Sequence, residues 1–324
     1  MAGPETPSPA MSVVLVTPSG LEALGETIAC LRAQTAVSRL ELVVVGPELA
    51  ARAARSSRLE VFASVVLVET RPARTTAEGL AAGVRRSTAP IVAFTEEHAF
   101  PEPDWAERLL QAHRGPWAAV GPAIVHRNPG TRTSAADYVL AFGRWAPQGA
   151  PGPATELAGH NSSYKRETLL SLGAELEHAL AAECLLHGQL RARGAELYFE
   201  PAARTGHLVA SSFRRWLPTR FERGRLIGAS RARSFSRARR AVYVAGSPLI
   251  PFVRLGRLSR GLPPGAGWRQ YGPGVTATVC LGAVVEAAGE AVGYARGEGS
   301  AERRLTEYEL RRRAYLVPSD PERP

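Results

Sequence analysis

Residues 90–105 read PIVAFTEEHAFPEPDW. Residues 90–95 form a short apolar run of the kind that makes a strand buried on both faces. The run ends in two carboxylates and an imidazole, Glu96, Glu97 and His98, and Pro101 and Pro103 stiffen the exit. Comparable strand signals lie upstream at 12–17 (SVVLVT), 41–45 (ELVVV) and 61–68 (VFASVVLV). Between them, Leu21, Leu24, Ile28 and Leu31 recur at helical spacing, and residues 76–86 read as a second helix. Strand–helix alternation at this spacing predicts an α/β fold with a doubly wound, mostly parallel sheet flanked by helices. Ligands of such sheets bind beyond the carboxyl ends of the strands, which is where Glu96, Glu97 and His98 fall.

The rest of the chain is less regular. Residues 104–112 are predicted helical, 117–124 a strand and 143–153 a Pro/Gly-rich loop. Residues 176–193 are predicted as one helix capped by Gly194, followed by a short strand at 197–200. Residues 275–294 are apolar and small-residue-rich, with Glu286 and Glu290 on one helical face. Beyond about Leu310 a loosely held tail is expected. With 324 residues, 45% hydrophobic and 22% charged, the chain has ordinary globular composition, not that of a disordered one. No uncharged apolar run reaches 18 residues, which argues against a plain membrane span. Residues 1–10 have no basic n-region and no apolar h-region, so they read as a disordered tail rather than a secretory signal. Cys30, Cys184 and Cys280 are odd in number and form no CxxC pair, which fits a reducing cytosolic setting.

Acids and a histidine at a strand's carboxyl end can hold a divalent cation. Carboxylate oxygens suit Mg²⁺ and Mn²⁺, and an imidazole tilts the choice towards Mn²⁺. The competing reading of the same residues is a solvated acidic turn that merely ends the strand.

Four segments, taken together, resemble the family-2 glycosyltransferases with the GT-A nucleotide-sugar fold. SVVLVTPSG with LEALGETIACLRAQT (12–35) is similar to the family's first strand and helix. IVAFTEEHAFPEPDW (91–105) resembles its acidic segment. GHNSSYKRETLLSLG (159–173) resembles its acceptor-side loop. AECLLHGQLRARGAELYFEPAARTGH (182–207) resembles its general-base block. The resemblance implies a GT-A domain over residues 11–215, between the tail at 1–10 and a basic, apolar helical region at 216–324. It implies an inverting transfer of a sugar from a nucleoside-diphosphate donor to a hydroxyl on a glycan or a lipid-linked acceptor, as in polysaccharide biosynthesis. Carried over residue by residue, Glu183 falls on the general base, and Glu96 and Glu97 fall on the donor and diphosphate side. His98 and His207 fall on the divalent metal (Mn²⁺ or Mg²⁺), and His160, Asn161 and Arg166 on the acceptor side. Several positions depart from the pattern. Val45 is followed by Gly46-Pro47 instead of a nucleobase-binding acid, Leu80-Ala81 replaces an Arg-Asn pair, and Ala182 precedes Glu183. A non-catalytic GT-A-like binding or scaffold protein with a degenerate metal site is therefore the second reading.

Charge is concentrated. Between Arg204 and Arg260 stand 14 arginines and one acid, Glu222, an excess larger than the net +10 of the whole chain. Three readings compete for this stretch: nucleic-acid binding, attachment to an anionic membrane surface, and a solvated basic helix. Few aromatics interleave the arginines, so no nucleic-acid partner is expected. The adjacent run 241–253 (AVYVAGSPLIPFV) is apolar, and Pro248 and Pro251 break it, which suits a segment dipping into the interface better than a span. This gives a C-terminal membrane-associating extension at the cytoplasmic face of the membrane. Arg220 or Arg223 are expected to close over the donor diphosphate. His187, four residues after Glu183, shares its helical face, and a structural contact is favoured over a metal ligand. Trp105 is assigned to the core, and Cys184 is read as a small buried residue.

Overall fold

The apolar runs become strands because both their faces are covered. In the computed structural model, which describes residues 8–18, 20–49, 59–71, 75–264 and 268–318, β1 (Met11–Val16) and β2 (Leu40–Gly46) are buried at every position. The expected tail at 1–10 falls mostly outside the described residues. The chain forms two compact units. One runs to Val125 and includes Ala150–Gly206, and the other comprises His126–Gly149 and the chain from His207 onward.

The first unit carries a nine-stranded sheet. Its further strands are β3 (Ser64–Glu69), β4 (Ile91–Phe94), β5 (Ala99–Pro101), β6 (Ala119–His126), β7 (Gly152–Ala154), β8 (Ser163–Lys165) and β9 (Leu197–His207). The order is β3-β2-β1-β4-β8-β6-β9-β5, with β7 on β9. The first four strands in that order are parallel, with Val13 opposite Leu42 and Ala93. β8 runs antiparallel to both β4 and β6. The helices of this unit are α1 (Gly25–Arg32), α2 (Thr76–Arg86) and α3 (Trp105–Ala112), then α5 (Arg166–Leu170), α6 (Leu176–Leu180) and α7 (Glu183–Ala192). α4 (Arg132–Phe142) belongs to the second unit.

Local chemistry explains these boundaries. The Thr75 hydroxyl accepts the Glu78 N–H and caps α2. Gly79 and Gly83 let α2 lie directly on Val16 and Val14 of β1, where an added Cβ would come within 2.6 and 2.4 Å. Gly194, at φ +82°, ends α7 as expected. At the amino ends of the strands Glu41 is buried and accepts bonds from the Ser12, Ser64 and Thr88 hydroxyls and the Thr88 N–H. Two expectations need correction. The single helix predicted at 176–193 is two helices, because Ala182 is extended (φ −155°, ψ 139°), so Glu183 opens α7. The short strand predicted at 197–200 continues to His207 as β9, because β6 and β5 flank it in the sheet.

The second unit is helical: α4, α8 (Phe213–Ala232), α9 (Arg237–Ala245), α10 (Ile250–Gly261), α11 (Pro273–Arg296) and α12 (Ala301–Leu310). α8 and α11 meet backbone to backbone. A Cβ on Gly224 or Gly228 would lie 1.9 or 2.3 Å from the Glu286 or Glu290 carbonyl oxygen. One on Gly289 or Gly293 would lie 2.0 or 2.2 Å from that of Phe221 or Arg225. Around this contact Arg220 pairs with Glu286, Arg254 bridges Glu286 and Glu290, and Arg231 reaches Glu290 at 3.0 Å. Buried Asp137 of α4 is the second polar centre. It accepts the Trp216 indole N–H (2.8 Å), the Ala210 N–H (3.1 Å) and the Tyr308 hydroxyl (3.1 Å). α11 is the one described helix long and apolar enough to cross a membrane, and 44% of its apolar window is buried within the protein. Of the tail expected beyond Leu310, residues 311–318 are described and are held to the unit, while 319–324 lie outside the described residues. The Tyr315 carbonyl accepts the Ser211 and Ser212 N–H groups, and Arg312 is buried.

Candidate functional site

The turn between β4 and β5 carries Glu96, Glu97 and His98. The Thr27 hydroxyl of α1 pins it from below, lying 3.0 Å from the Glu96 carbonyl and 3.1 Å from that of Ala99. His98 and Glu97 are buried. The Glu96 carboxylate gathers three groups. His98 Nε2 lies 3.5 Å from one oxygen, which also accepts a bond from Asn161 Nδ2 at 3.3 Å, and His160 Nδ1 lies 3.4 Å from the other oxygen.

The spacing fits a cation. Two ligand atoms on one ion at about 2.1 Å stand roughly 3.0 Å apart in an octahedral and roughly 3.4 Å apart in a tetrahedral site. The 3.5 Å between His98 Nε2 and Glu96 Oε2 is close to that and long for a strong hydrogen bond. The imidazole–carboxylate set suits Mn²⁺.

His160 and Asn161 sit on a one-turn 3-10 helix, Gly159–Asn161, just before β8. Its first residue backs onto Glu183, since a Cβ at Gly159 would lie 2.5 Å from Glu183 Cγ. Glu183 is half-buried at the first position of α7, where the helix dipole favours a carboxylate. Behind the turn, Tyr164 and His187 are fully buried, with Tyr164 Oη 3.0 Å from His187 Nε2. Burial first, and the Glu183 charge second, push the Tyr164 hydroxyl well above the usual phenol range. Burial, reinforced by His160, holds His187 down to about 4. His187 thus makes structural contacts, as favoured on sequence grounds.

Two of the remaining candidates, Arg166 and Arg220, are held by other partners. Arg166 is at the opposite end of β4. β8 runs antiparallel to β4 with Lys165 opposite Ile91, so the chain from Asn161 to Arg166 travels away from Glu96, and Arg166 Nε bonds the Ser87 hydroxyl at 3.3 Å. Arg220, expected at the diphosphate, is buried in the second unit between Glu286 and Asp137, and its charge is taken there. Arg223 is half-buried, and its charge helps hold the Glu286 carboxyl below its ordinary value. His207, the last residue of β9, is buried beside the Phe142 ring at 4.4 Å. Trp105 is core. Cys184 is exposed rather than buried, because it follows Glu183 at the start of α7. Tyr164 and Thr27 carry no local sequence signal of a role at the site. The only signal for Gly159 was its place at the head of the loop motif.

No protein-family model matches the chain, and no curated protein matches it in sequence. Its structure is similar to the mannosyltransferase PcManGT from Pyrobaculum calidifontis, solved in complex with GDP-Man and Mn2+. The identity is 19%, the match covers 89% of this chain and 88% of that one, and the TM-score is 0.53. It is also similar to GalNAc-T7, solved with UDP, GalNAc and Mn2+, at 14% identity and a TM-score of 0.46. That match covers 62% of this chain, which spans 44% of the length of GalNAc-T7. The architecture, a mostly parallel sheet flanked by helices with the acidic turn at a strand's carboxyl end, is GT-A-like.

Proposed function

We propose that the chain is a glycosyltransferase that moves a sugar from a nucleoside-diphosphate donor to a hydroxyl acceptor with inversion at the anomeric carbon. The observation that carries this reading is the convergence on Glu96 of His98, His160 and Asn161, beside a turn that backs onto Glu183. In the proposed step the acceptor oxygen bonds to the anomeric carbon as the carbon–oxygen bond to the diphosphate breaks. The proton of the acceptor hydroxyl passes to the Glu183 carboxylate, help worth about 10²–10⁴-fold. Glu96 and His98 would hold a divalent cation, with Glu97 beside them. When bound, the cation stabilises the charge on the departing diphosphate as a Lewis acid. The resemblance adds His207 and Arg223, and substitution rather than distance tests those two. His160 and Asn161 orient the acceptor. The similar mannosyltransferase was solved with GDP-Man and Mn2+, which supports a donor of this class without naming its base or sugar.

We extend the proposal to location. On α9, α10 and the turn between them, Val242, Leu249, Phe252 and Val253 are 68%, 65%, 74% and 51% exposed, and exposed Arg237, Arg239, Arg257 and Arg260 flank them. Apolar side chains beside arginines suit the headgroup region of an anionic bilayer, each arginine contributing about 1 kcal/mol. Such a surface at the cytoplasmic face of the membrane suits a lipid-linked or polysaccharide acceptor.

The test is Glu183→Gln. Turnover should be abolished while nucleotide binding persists, and normal turnover would refute the base assignment. A non-catalytic binding protein would instead bind nucleotide and turn over nothing in the wild type.

A further inference from the structure

Behind the Gly159–Asn161 turn runs a hydrogen-bond chain whose direction is fixed by its first donor. The Leu157 N–H can only donate, and it points at His187 Nδ1 at 3.4 Å. His187 Nδ1 therefore carries the lone pair, and in the neutral ring the proton sits on Nε2. Nε2–H donates to Tyr164 Oη at 3.0 Å. The Tyr164 hydroxyl is then free to donate onward, and it meets the Gly159 carbonyl at 3.3 Å. Every group in this chain is buried. The chain starts and ends on the loop 157–161 and passes through α7 and β8. It ties the helix that begins with Glu183 to the turn that carries His160 and Asn161. The direct contact of Gly159 with Glu183 makes the spacing between these two pieces tight.

We infer that Tyr164 and His187 are positioning residues for transfer: their hydrogen bonds hold the Gly159–Asn161 turn at a fixed distance from the Glu183 end of α7, so that the base and the Glu96 cluster face one reacting centre. This rests on the reading of Glu183 as the base. Neither residue touches substrate. Their effect is on the geometry of the proton transfer and not on the affinity for the donor. A misplacement of about 1 Å can cost on the order of 10²-fold in rate.

The experiment compares the full-length wild type with Tyr164→Phe, His187→Phe and His187→Gln. Tyr164→Phe keeps the ring and loses both hydrogen bonds. His187→Phe keeps the bulk and breaks the chain. His187→Gln retains an N–H for Tyr164. Two quantities are read: amide hydrogen exchange over residues 157–161, and turnover of a panel of UDP-, GDP- and dTDP-sugars with Mn²⁺, water serving as acceptor. Tyr164→Phe and His187→Phe should exchange at least about tenfold faster at 157–161 with β1, β2 and β4 unchanged. Their kcat should fall roughly 10–100-fold with KM for the donor held within about threefold, and His187→Gln should lie between them and the wild type. Unchanged local exchange, or unchanged kcat in both phenylalanine variants while Glu183→Gln is inactive, would overturn the positioning role alone. Full activity of Glu183→Gln, or no turnover of any donor by the wild type, would instead overturn the transfer reading beneath it.

Discussion

Gly159→Ala isolates the contact on which the site depends. An alanine Cβ would stand 2.5 Å from Glu183 Cγ and 3.1 Å from Glu183 Cβ. Carbon atoms in contact sit about 3.5–4.0 Å apart, so one partner must move by roughly 1.0–1.5 Å. The turn cannot easily retreat, because the Tyr164 hydroxyl holds the Gly159 carbonyl and the turn's far end is bonded to Glu96 through Asn161. Glu183 is the half-buried first residue of its helix and is the part that yields. A shift of about 1 Å in a proton-accepting group costs on the order of 10²-fold in kcat, equivalent to about 2.7 kcal/mol of barrier. Overpacking costs stability as well, typically about 1–3 kcal/mol. The assay is steady-state transfer from the nucleotide sugar the wild type turns over, paired with calorimetric titration of its nucleotide. The control is Gly188→Ala on α7, where an added Cβ meets nothing within 4 Å. The expected result is a kcat lowered roughly 100-fold with nucleotide affinity within about threefold, and a control that behaves as wild type. A Gly159→Ala enzyme with wild-type kcat would refute both the tightness of the contact and the role given to Glu183.

Other perturbations test other parts of the structure. Gly228→Ala places a Cβ 2.3 Å from the Glu290 carbonyl oxygen and forces α8 from α11. The loss of about 1–3 kcal/mol should lower the melting temperature by several degrees by circular dichroism, and an unchanged melt would show that the helices do not meet as described. His98→Ala should weaken Mn²⁺ binding at least about tenfold in a calorimetric titration, and unchanged affinity would remove His98 from the cation site. For Glu41, burial raises the carboxyl pKa, but the bonds from Ser12, Thr88 and Ser64 outweigh it and hold the group below its ordinary 4.5. Its stabilisation is therefore complete above pH 4.5 and is lost as pH falls from there through the lowered value. Urea unfolding of wild type and Glu41→Gln should differ at pH 7 and converge at low pH, and a difference independent of pH would contradict the sign. Phe252→Ser with Leu249→Ser should reduce binding to vesicles of mixed anionic and zwitterionic lipid, whereas unchanged binding would leave the exposed face of α9 and α10 without this role.

Much of the first unit is legible because burial on both faces writes itself into continuous apolar runs. β1, β2 and β4 follow those runs, and Glu96, Glu97 and His98 stand out as charge placed abruptly at a strand end. What was not legible depends on partners distant in sequence. Ala181 and Ala182 favour a helix locally, yet Ala182 is extended, and that break puts Glu183 at a helix start. The strand signal at 197–200 stops at Pro201, yet β9 runs on to His207 because neighbouring strands flank it. The direction of β8, which carries Arg166 away from Glu96, is set by pairing and not by composition. The sequence sends Arg220 to the donor diphosphate, but Glu286, 66 residues away, takes its charge. The Tyr164–His187 bond spans 23 residues and two elements, so no local pattern announces it.

The central claim is that the Glu96–His98 turn binds a nucleoside diphosphate through a divalent cation. Calorimetric titration of UDP, GDP and the remaining nucleoside diphosphates into the purified chain, with and without Mn²⁺, tests it most directly. Binding of at least one nucleotide that requires Mn²⁺ and is weakened by His98→Ala is the predicted result. Absence of binding by every nucleotide in the presence of Mn²⁺, or binding indifferent to both the metal and His98, would contradict it.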